Sequence, residues 1–159
     1  MKYIFCDAVW YQKSNYFDVT TTQLLTLNLI ETDEMFQKEE KFIWHICPNQ
    51  LTEISTQALA YLREDRQVLE RGEPEEQVLK TLLHKLQGEV VWILWKRRTY
   101  DVLLYEIKQL GGYVGDCRLV VLQELLAWIE PIQEDKRLNL MRELQRYHIR
   151  FQVDQLHSS

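Results

Sequence analysis

Cysteine is scarce: three in 159 residues, at Cys6, Cys47 and Cys117, with no CxxC pair. An odd count at these spacings argues against a disulfide scaffold and against a zinc site, so buried, reduced thiols are expected. The five glycines form no Gly-rich phosphate loop, and there is no Gly-x-Ser-x-Gly elbow, His-Glu-x-x-His or Cys–His pair. These absences remove most enzyme classes that carry a short signature. His45 and His84 have no spacing that suggests a metal-ligand pair. No apolar run reaches the ~20 residues of a membrane span. No basic segment followed by an apolar stretch and a small-residue cleavage site opens the chain, so a cytoplasmic location without membrane contact is expected. Positive charge is also short. The net charge of −5 provides no global field for nucleic acid, and any polyanion contact needs a local patch. Lys96, Arg97 and Arg98 form the dense one.

What is present is a core. Hydrophobic residues make up 46% and charged residues 27%, as in a globular chain, and the length suits one domain over 1–159. Residues 2–8, KYIFCDA, begin with a near-continuous apolar run, Tyr3 to Cys6, expected of a central strand buried on both faces. Asp7 comes where such a strand leaves the core. It either starts a turn or places a carboxylate over a crevice of an α/β sheet, where metal chemistry is common. Residues 8–21 read as a loop and the start of a hairpin. Within them Trp10, Tyr11, Tyr16 and Phe17 either cover the end of the core or stack bases. Residues 22–32 alternate, with Leu25, Leu27 and Leu29 on one side and Thr26 and Asn28 on the other. A charged turn over 33–41 leads to a third strand over 42–47, stopped by Pro48 and Asn49. Strands joined this closely form an antiparallel meander.

The period then becomes helical. Leu51, Ile54, Ala58 and Leu62 mark one helix, and residues 63–73 read as a charged link. Pro74 opens a second helix with Val78, Leu79, Leu82, Leu83 and Leu86 on its apolar face, ended by Gly88. Residues 89–95, EVVWILW, are the most strand-like run of the chain. A helix over 100–110 follows, then a strand over 117–122 and a short helix closed by Pro131. Leu140, Met141, Leu144 and Tyr147 mark a last helix. The order β-β-β-α-α-β-α-β-α-α predicts an α/β fold. Its mixed five-stranded sheet has the meander on one side of the first strand and two parallel strands on the other, with helices packed on it.

This order and several strings resemble the DnaQ-like, or DEDD, 3'–5' exonucleases of the ribonuclease H-like fold. The matching stretches are KYIFCDAV, LTEISTQALAYLRED, PEEQVLKTLLHKLQG, VVWILWKRRTYDVLLYEIKQLGG, RLVVLQELLAWI and LNLMRELQRYHIRF. The resemblance is one of pattern and covers nearly all the chain. It implies a site in which two Mg²⁺ or Mn²⁺ ions, roughly 4 Å apart, clamp the attacking and leaving oxygens of a phosphodiester. About four carboxylates converge on such ions and a histidine serves as general base. On this pattern the first Asp is Asp7, while Val9 stands where the motif has Glu. The aromatic–Asp pair is Tyr100–Asp101, preceded by a segment more basic than the family's usual one. His157 lies near the place of the histidine, but no aspartate follows it, and Asp154 precedes it. On this pattern the family's last catalytic helix is expected to be lacking.

The resemblance therefore implies Asp7 and Asp101 as the catalytic and metal-binding pair. Mg²⁺ or Mn²⁺ is the cofactor where activity survives, and there is none otherwise. Lys96, Arg97 and Arg98 are the nucleic-acid contacts. Two readings stay open. The first is an exonuclease-like protein of nucleic-acid metabolism with a degenerate site and weak or no catalysis, whose partner is single-stranded nucleic acid. The second is a non-catalytic module that uses the same fold to bind a protein. A third option is a shortened form of a longer enzyme.

Overall fold

The computed structural model of the protein describes residues 1–129. The Pro131 stop, the helix expected at Leu140 to Tyr147, and the positions of Asp154 and His157 lie outside the described residues.

The sheet has five strands in the order β3-β2-β1-β4-β5. β1 (Lys2–Gln12), β2 (Thr22–Asp33) and β3 (Glu39–His45) form the antiparallel meander. β4 (Val90–Leu94) and β5 (Arg118–Val121) run parallel to β1 on its other side. This is the expected fold, with each strand on its expected side. The helices are α1 (Thr56–Tyr61), α2 (Arg66–Glu70), α3 (Glu75–Lys85), α4 (Arg97–Gln109) and α5 (Leu122–Ile129). Among the described residues no helix is long and apolar enough to cross a membrane.

Period-2 alternation places Ile4, Cys6 and Ala8 of β1 on one face of the sheet. Leu27 and Leu29 of β2, with Trp92 and Leu94 of β4, complete that apolar layer. Val78, Leu79 and Leu82 of α3, with Val102, Leu103 and Ile107 of α4, pack against it. Removing each of the Val, Leu and Ile side chains among these from water stabilises the fold by about 1.5–3 kcal/mol. A second, smaller cluster holds Leu25, Leu51, Ile54, Leu59 and Leu69.

The structure corrects several boundaries. β1 does not end at Ala8. Its residues Trp10, Tyr11 and Gln12 pair with Leu24, Gln23 and Thr22, because β2 offers partners beyond the point where β4 stops. The β1–β2 register shifts at Val9/Trp10, opposite Thr26 and Leu24, so Leu25 is the extra residue of a bulge. The alternation of β2 therefore breaks. Leu27 and Leu29 face the main core while Leu25 joins the second cluster.

The charged stretch 63–73, expected as a link, contains α2. The Asp65 carboxylate accepts from the Gln67 N–H at 2.8 Å and Leu69 is fully buried. Such a cap contributes about 1 kcal/mol, and one anchored apolar side chain holds the turn in place. β3 begins at Glu39, earlier than expected, because Glu39, Glu40 and Lys41 still find partners on β2. A charged outer strand suits a sheet edge. α4 also begins early, at Arg97. Of the three free cysteines only Cys6 is buried; Cys47 and Cys117 are half-buried.

Candidate nucleic-acid interface

β1 and β4 run side by side as far as the pair Cys6–Leu94, and there they part. β1 continues along β2, while the chain after Leu94 turns through Trp95 and Lys96 into α4. The gap lies at the carboxyl end of two parallel strands, where α/β sheets hold their ligands. Asp7 is the first β1 residue past the parting and is half-buried. Val9, two residues on, is 2% exposed.

Lys96 stands across the gap as the N-cap of α4. Its Nζ lies 5.1 Å from the centroid of the Trp10 ring, so the ammonium rests on an aromatic face. Burial lowers the pKa of this ammonium, the Asp7 carboxylate works in the opposite direction, and Arg98 adds to the lowering. Arg98 lies 4.9 Å from the centroid of Phe17, and the Trp10 and Phe17 rings are 6.4 Å apart. Lys96, Trp10, Phe17 and Arg98 thus form one cluster of two cations and two rings. The other two aromatics of the expected cluster go elsewhere. Tyr11 packs on the second core cluster and Tyr16 is exposed.

Arg97 has a different role. It donates to both carboxylate oxygens of Glu124 on α5, at 2.9 and 2.7 Å, and this bond raises its pKa. Its guanidinium also lies 5.5 Å from the centroid of the Tyr100 ring. The basic run is therefore split: Arg97 ties α4 to α5, and Lys96 and Arg98 share the aromatic cluster. Tyr100 and Asp101 are not at the head of the helix, as the sequence suggests, but the fourth and fifth residues of α4. Tyr100 packs edge-on against Trp92, with centroids 5.7 Å apart, and the charge of Asp101 acts on Arg97. The charge of Asp7 acts on Lys96.

Three basic residues at the start of a helix run against its dipole, whose N-terminal end is already positive. The concentration of positive charge is what an anion needs. Thr99, in the same first turn, is 1% exposed, and its hydroxyl is without a hydrogen-bond partner among the described residues.

The two ions implied by the resemblance do not fit these residues. Among the described residues no group of three or more His, Cys, Asp or Glu side chains could hold a metal ion. Val9 offers a methyl group where an oxygen is needed. An open depression of about 270 Å³ lies elsewhere, lined by Tyr11, Lys13, Gln23, Gln50 and Glu53 among others. Of the residues singled out in the sequence it contains Tyr11 but neither aspartate nor any of the basic run.

Sequence reasoning found Asp7, Trp10, Phe17 and the basic run separately. It missed that Lys96 rests on Trp10 and Arg98 on Phe17, and that Glu124 claims Arg97. No local signal carries these pairings, which join residues 86, 81 and 27 apart in the sequence.

No family model matches the chain, and no curated protein matches it. Solved structures do. An exonuclease I solved as an ExoI/SSB-Ct complex superposes with a TM-score of 0.76 at 13% identity, over 98% of this chain and 38% of that one. E. coli exonuclease I in complex with a dT13 oligonucleotide gives 0.75 at 14% identity, over 99% of this chain and 38% of that one. A 3'-exonuclease solved for 3'-end-specific recognition of a histone mRNA stem-loop gives 0.76 at 10% identity, over 95% of this chain and 72% of that one. The chain thus spans about two fifths of the exonuclease I molecules. At these identities the likeness is one of fold: the α/β sheet and its helices superpose on those of these exonuclease structures.

Proposed function

We propose that the protein is an exonuclease-like protein of nucleic-acid metabolism that binds single-stranded nucleic acid at the carboxyl end of β1 and β4, with weak or no phosphodiester cleavage. The observation that carries this reading is the cluster of Lys96, Trp10, Phe17 and Arg98. The two cations suit phosphates, and the half-buried rings beside them suit contact with unstacked bases. Solved neighbours in complex with oligonucleotides support the same class of ligand. Of the expected carboxylate set, Asp7 and Asp101 remain the catalytic candidates, and Val9 is the reason cleavage is weak.

The test is fluorescence anisotropy with dT13 and with a 13-nucleotide RNA at low salt, followed by gel analysis of the same mixtures with Mg²⁺ or Mn²⁺. Saturable binding with little or no shortening of the strand is expected. No binding at 100 μM protein would overturn the reading. Rapid shortening that Asp7→Asn abolishes would overturn its claim of weak catalysis.

A second reading, the protein-binding module, draws on α5. Leu125 and Trp128, one turn apart, are both exposed, Trp128 at 89%. Under that reading Trp128→Ala removes a partner's binding and leaves oligonucleotide affinity unchanged.

A further inference from the structure

We infer that the N-terminus of α4 is a phosphate site that takes a terminal phosphomonoester, the charged group at the end of a nucleic-acid strand. The inference rests on the proposed nucleic-acid binding for the strand, and on the local geometry for the phosphate.

The first turn of α4 leaves its own positive end unanswered. The leading N–H groups of a helix have no partner within it, and together they carry about half a positive charge. Lys96, as N-cap, makes no side-chain bond to them, and the first turn holds no acidic residue. Lys96, Arg97 and Arg98 add to the charge instead. Glu124 answers Arg97 with two bonds, whereas among the described residues Arg98 makes no ion pair. Arg98 rests on Phe17 and Lys96 on Trp10, and both rings pack against the main core. The two cations are therefore held beside the turn rather than spread in solvent.

A second observation is independent of charge. Thr99, the third residue of α4, is 1% exposed, and its hydroxyl has no hydrogen-bond partner among the described residues. A buried hydroxyl left in that state is costly. Helical side chains lean toward the N-terminus of their helix, so Thr99 projects over the same open turn. A phosphate oxygen there would accept from it, directly or through one water. Backbone N–H groups, a hydroxyl and two cations are the parts of a phosphate site. Charge then selects among phosphates. An internal phosphodiester carries one negative charge and a phosphomonoester about 1.5 to 2. The end of a strand is accordingly held more tightly than its middle.

The experiment has two arms, each run on the wild type, Arg98→Gln and Thr99→Val. Valine keeps the shape of threonine and removes the hydroxyl, so urea unfolding should find Thr99→Val at least as stable as the wild type. A clear loss of stability there would mean that the hydroxyl serves the fold, and would overturn the inference. In the first arm, anisotropy at low salt compares dT13 with its 5'- and 3'-phosphorylated forms. The wild type is expected to bind one phosphorylated form at least about fivefold more tightly than dT13, a gain that Arg98→Gln loses and Thr99→Val cuts about two- to threefold. Equal affinity of the wild type for all three strands overturns the inference and leaves the proposed function standing. In the second arm, Tm is followed as sodium phosphate replaces chloride, up to about 20 mM at constant ionic strength. A saturable rise is expected in the wild type, smaller in Thr99→Val and absent in Arg98→Gln. No rise, or one that survives in Arg98→Gln, overturns the inference. Binding of none of the strands overturns the proposed function, and the phosphate arm then decides the inference by itself.

Discussion

The Glu75–Glu106 pair makes the stability of this protein fall as pH rises through neutrality, and Glu106→Gln should remove that fall. Glu75 lies in the first turn of α3 and Glu106 in α4, and their carboxyl groups hydrogen-bond to each other. Two carboxylates so placed cannot both be ionised at low cost. Burial, the bond to Glu75 and its charge push the Glu106 carboxyl up to about 8, from an ordinary 4.5. The folded protein therefore keeps a proton that the unfolded chain releases above 4.5. The stabilising contribution is complete below that value and is lost as pH climbs to about 8. Undiminished, the gap corresponds to about 5 kcal/mol. Glu106 is only half-buried, so solvent screening reduces this to about 1–2 kcal/mol. Glutamine keeps a donor toward Glu75 and has no charge to release. At pH 9 Glu106→Gln should be more stable than the wild type by about 1–2 kcal/mol, or roughly 2–6 °C in Tm for a chain of this size. At pH 4.5 the two should melt together. Thermal denaturation followed by circular dichroism at half-unit intervals from pH 4.5 to 9 measures the difference directly. A constant difference across that range would refute the reasoning, because only a group with the same pKa in the folded and unfolded states produces no slope.

Arg98→Gln should weaken dT13 binding and reduce its salt slope by about 0.7, whereas Arg97→Gln, whose charge is already matched by Glu124, should leave the affinity within about twofold; anisotropy at several salt concentrations separates the two. Gly72→Ala should destabilise by more than about 2 kcal/mol in urea unfolding, because a Cβ there would lie 2.6 Å from the His45 oxygen and 2.8 Å from the Cys47 nitrogen, both backbone atoms. Leu82→Ala, in the middle of the α3 contact, should cost about 2–5 kcal/mol by the same measurement. In the native protein a thiol reagent should label at most two of the three cysteines, since burial raises the Cys6 thiol far above its ordinary value; unfolding should release the third.

Much of the architecture follows from local pattern. The apolar run of residues 3–6, the alternation around Leu27 and Leu29, the helical spacing from Val78 to Leu86 and the β-branched run at 90–94 each name their element without help from distant residues. Element order then leaves few topologies, and the mixed five-stranded sheet is one of them. Asp7, Trp10, Phe17, Lys96, Arg97 and Arg98 were all legible as candidates for the same reason: charge and aromaticity are properties of single residues. What the tertiary structure decided is which of them meet. The length of β1 past Ala8 depends on β2 offering partners where β4 has ended. The turn of Leu25 into the second cluster depends on a bulge that only pairing reveals. The division of Arg97 from Lys96 and Arg98 depends on Glu124 and on two rings near the other end of the chain. Periodicity reports the face on which a side chain lies. Register and crossover determine what that face is set against, and both are relations between segments far apart in sequence.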